Sequence, residues 1–139
     1  MMRERTIHNC SVIELPKITT AEGNITFYEN NKLFPFPVKR CFYLFDVPAG
    51  GRRGGHAHIE LHQVIIAVSG SFEVILDDGS DIRTIHLNQP DKGLLVPSGI
   101  WKEVFNFSAG SNCLVLASEK FFEKDYIRNL EQFYRYKRR

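Results

Sequence analysis

Phe72-Glu73-Val74-Ile75-Leu76, then Asp77-Asp78-Gly79-Ser80, then Ile82-Arg83-Thr84-Ile85-His86-Leu87 reads as two strands joined by a tight turn. Both arms alternate apolar with polar residues, the period of antiparallel strands that bury one face. The Asp-Gly pair between them supplies residues that tolerate positive φ. Outward from this hairpin, short runs rich in Val, Ile, Phe and Tyr recur at intervals of about 8 to 12 residues, separated by Gly, Pro, Asn and Asp. They predict strands over Val12–Ile18, Asn24–Glu29, Val38–Val47, Gln63–Val68, Ser71–Leu76, Ile82–Leu87, Gly93–Val96, Trp101–Phe107 and Asn112–Ser118.

Only the C-terminus carries a helical period. Tyr126, Ile127, Leu130, Phe133 and Tyr134 recur at three- and four-residue spacing, with Asp125 placed to favour a helix start. The predicted short helix ends in Arg135, Lys137, Arg138 and Arg139, read as a solvated basic end. No internal repeat, low-complexity segment or linker interrupts the 139 residues, so a single domain over residues 1–139 is expected. Many short strands and one late helix predict an all-β fold, a closed barrel or a sandwich.

Composition narrows the function classes. Hydrophobic residues at 43% and charged residues at 24% exclude disordered and collagen-like chains. A net charge of +2 lacks the basic excess of a dedicated nucleic-acid binder. No apolar run approaches the roughly 18 residues of a membrane span. Met1-Met2-Arg3-Glu4-Arg5 is charged and no apolar stretch follows it, so no signal peptide is expected. Cys10, Cys41 and Cys113 are odd in number and far apart, which suits neither a disulfide framework nor a structural zinc site. A reducing cytoplasm is the expected compartment.

The chemistry lies in Gly50-Gly51-Arg52-Arg53-Gly54-Gly55-His56-Ala57-His58-Ile59-Glu60-Leu61-His62-Gln63. His56 and His58 are two apart, so on a strand their side chains leave by one face. Two adjacent imidazoles suit either a metal or proton transfer near neutral pH. The glycines ahead of them let backbone and arginines crowd the same mouth.

Here the chain resembles the cupin superfamily. Counting from Gly50, the first cupin motif is met at every spacing: five residues, His56-x-His58, four residues, position 63, six residues, Gly70. The second reads Pro97-Ser98-Gly99, two residues, Lys102, three residues, Asn106, with Gly93 two residues closer than the pattern asks. Cupins hold a metal with three histidines and a carboxylate. This chain has Gln63 in place of the carboxylate and Lys102 in place of the third histidine. Metal ligands must be deprotonated, and an ammonium would stand where the ion should lie. No metal and no other cofactor is therefore expected, although His62 or Glu60 could assist a metal-dependent variant.

The resemblance narrows to the nucleotide-sugar 3,4-ketoisomerases of the WxcM-like family. It rests on Arg40-x-Phe42-Tyr43-x-Phe45-Asp46, Arg53-Gly54-x-His56-Ala57-His58, Gln63-Val64, and Gly70-Ser71-x-x-Val74-Ile75-Leu76-Asp77-Asp78-Gly79. Gly93-Leu94-x-Val96, Trp101-x-Glu103, Val115-Leu116-Ala117-Ser118 and Asp125-Tyr126-Ile127-Arg128 agree with it, so the likeness runs over about residues 12 to 136. It implies a jelly-roll-like β-barrel that turns dTDP-4-keto-6-deoxyglucose into the 3-keto sugar, feeding the 3-amino-3,6-dideoxyhexoses of surface polysaccharide.

The implied reaction is a metal-free tautomerisation through an enediol(ate). His58 is expected as the base and His56 as its partner; which histidine does which does not follow from sequence. An unperturbed histidine pKa of about 6.5 is already poised for such a base. The enolate oxygen needs a donor or cation, for which Arg53, Lys102 and Tyr43 are candidates. The diphosphate needs cations, with Arg40 and Arg53 first. Gln63 joins the substrate-binding set, and Trp101 either covers the thymine or sugar or is simple core.

Two departures stand out: Lys102 where the family generally has His, and Glu22-Gly23 where it tends to have Arg-Gly. They keep two alternatives open, a dTDP-sugar epimerase of related cupin type and a non-catalytic sugar-nucleotide-binding cupin. The family also implies a homodimer that exchanges N-terminal strands, here about residues 1–36. Gly23, Asn24, Asn30, Asn31 and Pro35 give that segment the loops to reach across.

Overall fold

The computed structural model describes residues 4–30 and 33–138; Met1–Arg3, Asn31 and Arg139 of the readings above lie outside the described residues. Twelve strands and one helix make up its main elements: β1 (Ser11–Glu14), β2 (Lys17–Thr20), β3 (Gly23–Thr26), β4 (Arg40–Phe45), β5 (Arg53–His58), β6 (Gln63–Ser69), β7 (Phe72–Asp77), β8 (Ile82–Leu87), β9 (Lys92–Val96), β10 (Trp101–Phe105), β11 (Asn112–Ala117), β12 (Tyr126–Ile127) and α1 (Leu130–Arg138). They form two five-stranded antiparallel sheets, ordered β1-β9-β6-β11-β4 and β12-β5-β10-β7-β8, plus the separate hairpin β2-β3. Of the two architectures left open by the sequence, the pairing gives the sandwich.

The decisive hairpin folds as its pattern requires. Phe72 faces Leu87 and Asp77 faces Ile82. Asp77 and Asp78 close the turn with their own carboxylates, accepting from the Gly79, Ser80 and Asp81 amides at 2.7–2.8 Å. Gly79, at φ +94°, takes the conformation that an L side chain would strain. The inward residues of this hairpin, Phe72, Val74, Leu76 and Leu87, meet Ile65, Ala67, Leu94, Val96, Cys113 and Val115 of the opposite sheet. That contact is the main core.

Two smaller cores cover the outer faces. Val64 and Ile66 point out of the first sheet and are buried by Leu15, Phe34 and Phe36. This is why β6 is apolar on both faces, whereas alternation alone would leave one face wet. On the back of the second sheet, Ala57, Trp101 and Ile127 bury Phe133 of α1.

Some boundaries differ from the reading, each for a local reason. The predicted strand Val12–Ile18 divides at Pro16, which has no N–H for the ladder, into β1 and β2. β4 ends before Asp46, whose φ of 56° leaves the extended region. The helix starts at Leu130, where Asn129 Oδ1 accepts the Gln132 amide at 3.0 Å as an N-cap. Tyr126 and Ile127 are a strand, with Tyr126 opposite His58 and Ile127 opposite Ala57. Asp125 therefore starts no helix; its carboxylate is used elsewhere.

Candidate active site

β5 builds the site. Its glycines admit a bulge: Lys102 faces His56 and Val104 faces Arg53, two residues on β10 against three on β5, with Gly54 at φ +70°. Beyond the bulge, His56 and His58 point inward, while Ala57 points back under α1. A cleft of about 420 Å³ opens between the sheets, lined by Arg52, Arg53, Gly54, His56, Lys102, Tyr126 and Arg128 among others.

His56, His58 and Tyr126 form a cluster of edge-on rings. Their centroids are 4.9 Å apart for His56–His58, 4.9 Å for His56–Tyr126 and 4.3 Å for His58–Tyr126. His58 is 3% exposed, behind the Tyr126 ring, while His56 lines the cleft directly. His58 Nδ1 lies 3.1 Å from Asp125 Oδ2. Asp125 accepts the backbone N–H of Glu60 at 2.7 Å and of Leu61 at 3.1 Å. A carboxylate held as acceptor in this way makes Nδ1–H the donor, so the lone pair of His58 is left on Nε2.

The electrostatics depart from an unperturbed pair. Burial first, and the Lys102 ammonium second, push His58 down to about 3 and His56 down to about 2. Both imidazoles are held in the neutral form, and the same lowering makes each a weaker base than a free imidazole. Burial lowers Lys102 to about 8.

Arg40, from β4, donates to the Tyr126 hydroxyl at 3.3 Å and leaves its buried Nε without a partner. Arg128 stacks over the Tyr126 ring at 4.2 Å while its guanidinium holds both Glu123 oxygens at 2.9 and 3.0 Å. Arg53 stands exposed at the rim.

The fold sets His56, Arg53 and Lys102 of the sequence-predicted set on the cleft wall, holds His58 and Arg40 against Tyr126 behind it, and leaves three further residues off the wall. Tyr43 alternates to the outer face of β4, 57% exposed beside Phe45. Trp101 is buried against Phe133 at 5.9 Å, the core role of the two considered. Gln63 is buried at the start of β6 and does not line the cleft. Glu22 is exposed in the β2–β3 turn. His62 lies past the end of β5, accepts the Ser98 amide at 3.0 Å and stacks on Phe36, so it does not share the face of His58. Asp125, Tyr126 and Arg128 complete the site. Their signal in the sequence is the Asp125-Tyr126-Ile127-Arg128 match, where helical spacing from Tyr126 onward masks the strand.

The donor set does not fit a cupin metal. Lys102 holds an ammonium against the cleft wall in place of a third imidazole, and Gln63 offers a neutral amide in place of a carboxylate. Among the described residues no three or more of His, Cys, Asp and Glu are grouped to hold an ion.

Two facing sheets with a histidine-lined cleft at one mouth define a small jelly-roll-like sandwich of the cupin type. The chain belongs to the FdtA family (WxcM-like, C-terminal), whose model matches residues 8–138. It is 42% identical over 125 residues, 90% of either chain, to TDP-4-oxo-6-deoxy-alpha-D-glucose-3,4-oxoisomerase of Aneurinibacillus thermoaerophilus. Among solved structures it is similar to the WlaRB TDP-quinovose 3,4-ketoisomerase of Campylobacter jejuni (44% identity, TM-score 0.86, covering 91% of this chain and 98% of that one). It is also similar to QdtA, a sugar 3,4-ketoisomerase of Thermoanaerobacterium thermosaccharolyticum in complex with TDP (35% identity, TM-score 0.92, covering 96% and 97%).

Proposed function

We propose that this chain is a metal-independent TDP-sugar 3,4-ketoisomerase acting on TDP-4-keto-6-deoxyglucose. The observation that carries the reading is the His58–Asp125 pair beside His56 at the wall of a cation-lined cleft, in a chain whose relatives are 3,4-ketoisomerases. Neutral His58 Nε2 takes the proton from carbon 3. The carbon–hydrogen electron pair becomes the C3=C4 double bond, and the ketone oxygen on carbon 4 becomes an enediolate oxygen. The proton of the carbon 3 hydroxyl then passes to the oxygen on carbon 4, carbon 4 itself receives a proton, and carbon 3 becomes the ketone. His56, edge-on to both His58 and Tyr126, carries the second transfer. No redox change occurs. Arg40 and Arg53 take the diphosphate, which supplies the acceptor that Arg40 Nε lacks.

The same reading has the described sandwich work as one domain in the cytoplasm, within synthesis of 3-amino-3,6-dideoxy sugars, and as a homodimer exchanging its N-terminal strands. An apolar groove of about 660 Å³, lined by Leu15, Phe27, Ile66, Val68, Leu114 and Leu116 among others, favours the dimer. Sedimentation at a dimer mass is expected, and a monomer at micromolar concentration would sink that part. No helix is long and apolar enough to cross a membrane among the described residues.

Proton NMR of TDP-4-keto-6-deoxyglucose with chelator-treated protein in deuterated water tests the function. A 3-keto product carrying deuterium at carbon 4 is expected. A product that stays 4-keto with deuterium at carbon 3 or 5 would make the chain an epimerase, and no exchange at all would leave a binding module.

A further inference from the structure

Lys102 is 3% exposed as a residue and lines the cleft, where among the described residues no carboxylate is paired with its ammonium. A buried cation without a counter-charge is costly, so proteins retain it where something arrives to neutralise it. The fold makes room for this one. A methyl group on Gly54 would stand 2.7 Å from Nζ and 3.8 Å from His56 Cε1, so the missing Cβ at Gly54 is the space in which the ammonium meets the histidine. Lys102 is also the direct cross-strand partner of His56, and side chains paired in this way lean into the same cleft. The other cations at the site have other roles: Arg128 grips Glu123, Arg52 pairs with Glu103, Arg53 is exposed, and Arg40 holds the Tyr126 hydroxyl with its free Nε assigned to the diphosphate.

We propose that Lys102 is a catalytic residue of the isomerisation, the cation that stabilises the enediolate oxygen as it forms on carbon 4. This rests on the ketoisomerase reading. An ammonium fixed at the cleft wall before the charge develops, and largely removed from solvent, is worth more there than in water. The same charge lowers the basicity of His56 and His58, so an oxyanion that neutralises it as the reaction proceeds would also raise theirs.

Lys102 acts as a charge and not as a nucleophile, because the alternative does not balance. An amine condensed with the carbon 4 ketone would lose water and form an imine. Passing the carbon 3 proton through that imine would then end in a 3-ketone with the lysine nitrogen still bonded to carbon 4. No free product would leave.

The test compares wild type with Lys102→Met and Lys102→Arg in the deuterium NMR assay, alongside thermal melts. Lys102→Met is expected to lose about 10²–10³-fold in kcat, the usual loss when one oxyanion partner is removed. Lys102→Arg should recover part of it. The melting temperature of Lys102→Met should rise, because an unpaired buried charge is gone; a merely structural lysine would lower it. Imidazole titration by NMR should show the histidine pKa values higher in Lys102→Met. Unchanged kcat in Lys102→Met, or a lowered melting point with unmoved histidines, overturns the proposal. A substrate-sized mass increase on borohydride treatment during turnover would also overturn it. Failure of wild type to isomerise at all would instead defeat the underlying functional reading, and the titration and melts would still report on Lys102.

Discussion

His58 Nδ1 and Asp125 Oδ2 lie 3.1 Å apart across 67 positions of chain. The contact exists because β12 pairs with β5, setting Tyr126 opposite His58 and bringing the preceding Asp125 over the end of the strand. One carboxylate closes the 59–61 turn through the Glu60 and Leu61 amides and orients the imidazole. Structural closure and catalytic geometry are therefore not separable at this residue.

Asp125→Asn should cost much of kcat with little change in KM. A carboxamide can donate toward Nδ1, favouring the tautomer with hydrogen on Nε2 and removing the base. A comparable swap in another enzyme's orienting carboxylate costs about 10⁴-fold, which sets the scale. His58→Asn should abolish conversion while circular dichroism stays native. Undiminished turnover in His58→Asn would remove it from the mechanism.

The pH dependence follows from the lowered histidines. Unfolded, each has a pKa of about 6.5; folded, His56 sits at about 2 and His58 at about 3. Between those limits the unfolded chain binds protons that the folded chain does not, so stability falls as pH drops from about 6.5 toward 3. Urea titrations from pH 8 to 4.5 should show this slope, and a His56→Gln/His58→Gln double variant should flatten part of it. The acid limb of kcat/KM should lie well below 6.5. A limb centred at 6.5 would mean that the pair is not desolvated in solution.

Arg40→Met should weaken TDP by at least about tenfold, the order expected when a charge-assisted hydrogen bond is lost. Calorimetry with TDP alone separates this from any effect on turnover. Equal affinity in the variant would place the diphosphate elsewhere along the cleft.

Phe133→Ala should cost about 3–5 kcal/mol, since the ring is fully buried between α1 and the back of β5 and β10. Chemical denaturation measures it. Because Ala57 and Ile127 share that cluster, turnover should fall with stability.

Much of this was legible in local pattern. Alternation in Phe72–Leu87 decides a half-buried hairpin because side chains on a strand alternate faces whatever the fold. The His56-x-His58 spacing likewise puts both imidazoles on one face. Patterns in the chain could not say which face of a strand the core would take, so they leave Tyr43 a candidate and Trp101 open between core and site. Tyr43 alternates outward on β4, and Trp101 points to α1 while its neighbour Lys102 points inward.

Residue types and their spacing alone determined the all-β class, the hairpin and the histidine pair, because these depend on periods of two residues and on turn chemistry. Only tertiary structure decided that Asp125 orients His58, that Tyr126 is a strand residue over the imidazoles, and that Gly54 seats the Lys102 ammonium. Each of these is a contact between segments distant in the chain or across strands, set by sheet pairing and burial. Helical spacing over 126–134 is satisfied equally by a helix and by a short strand followed by one. The edge of β5, with backbone groups open to pairing, drew Tyr126 and Ile127 into the sheet.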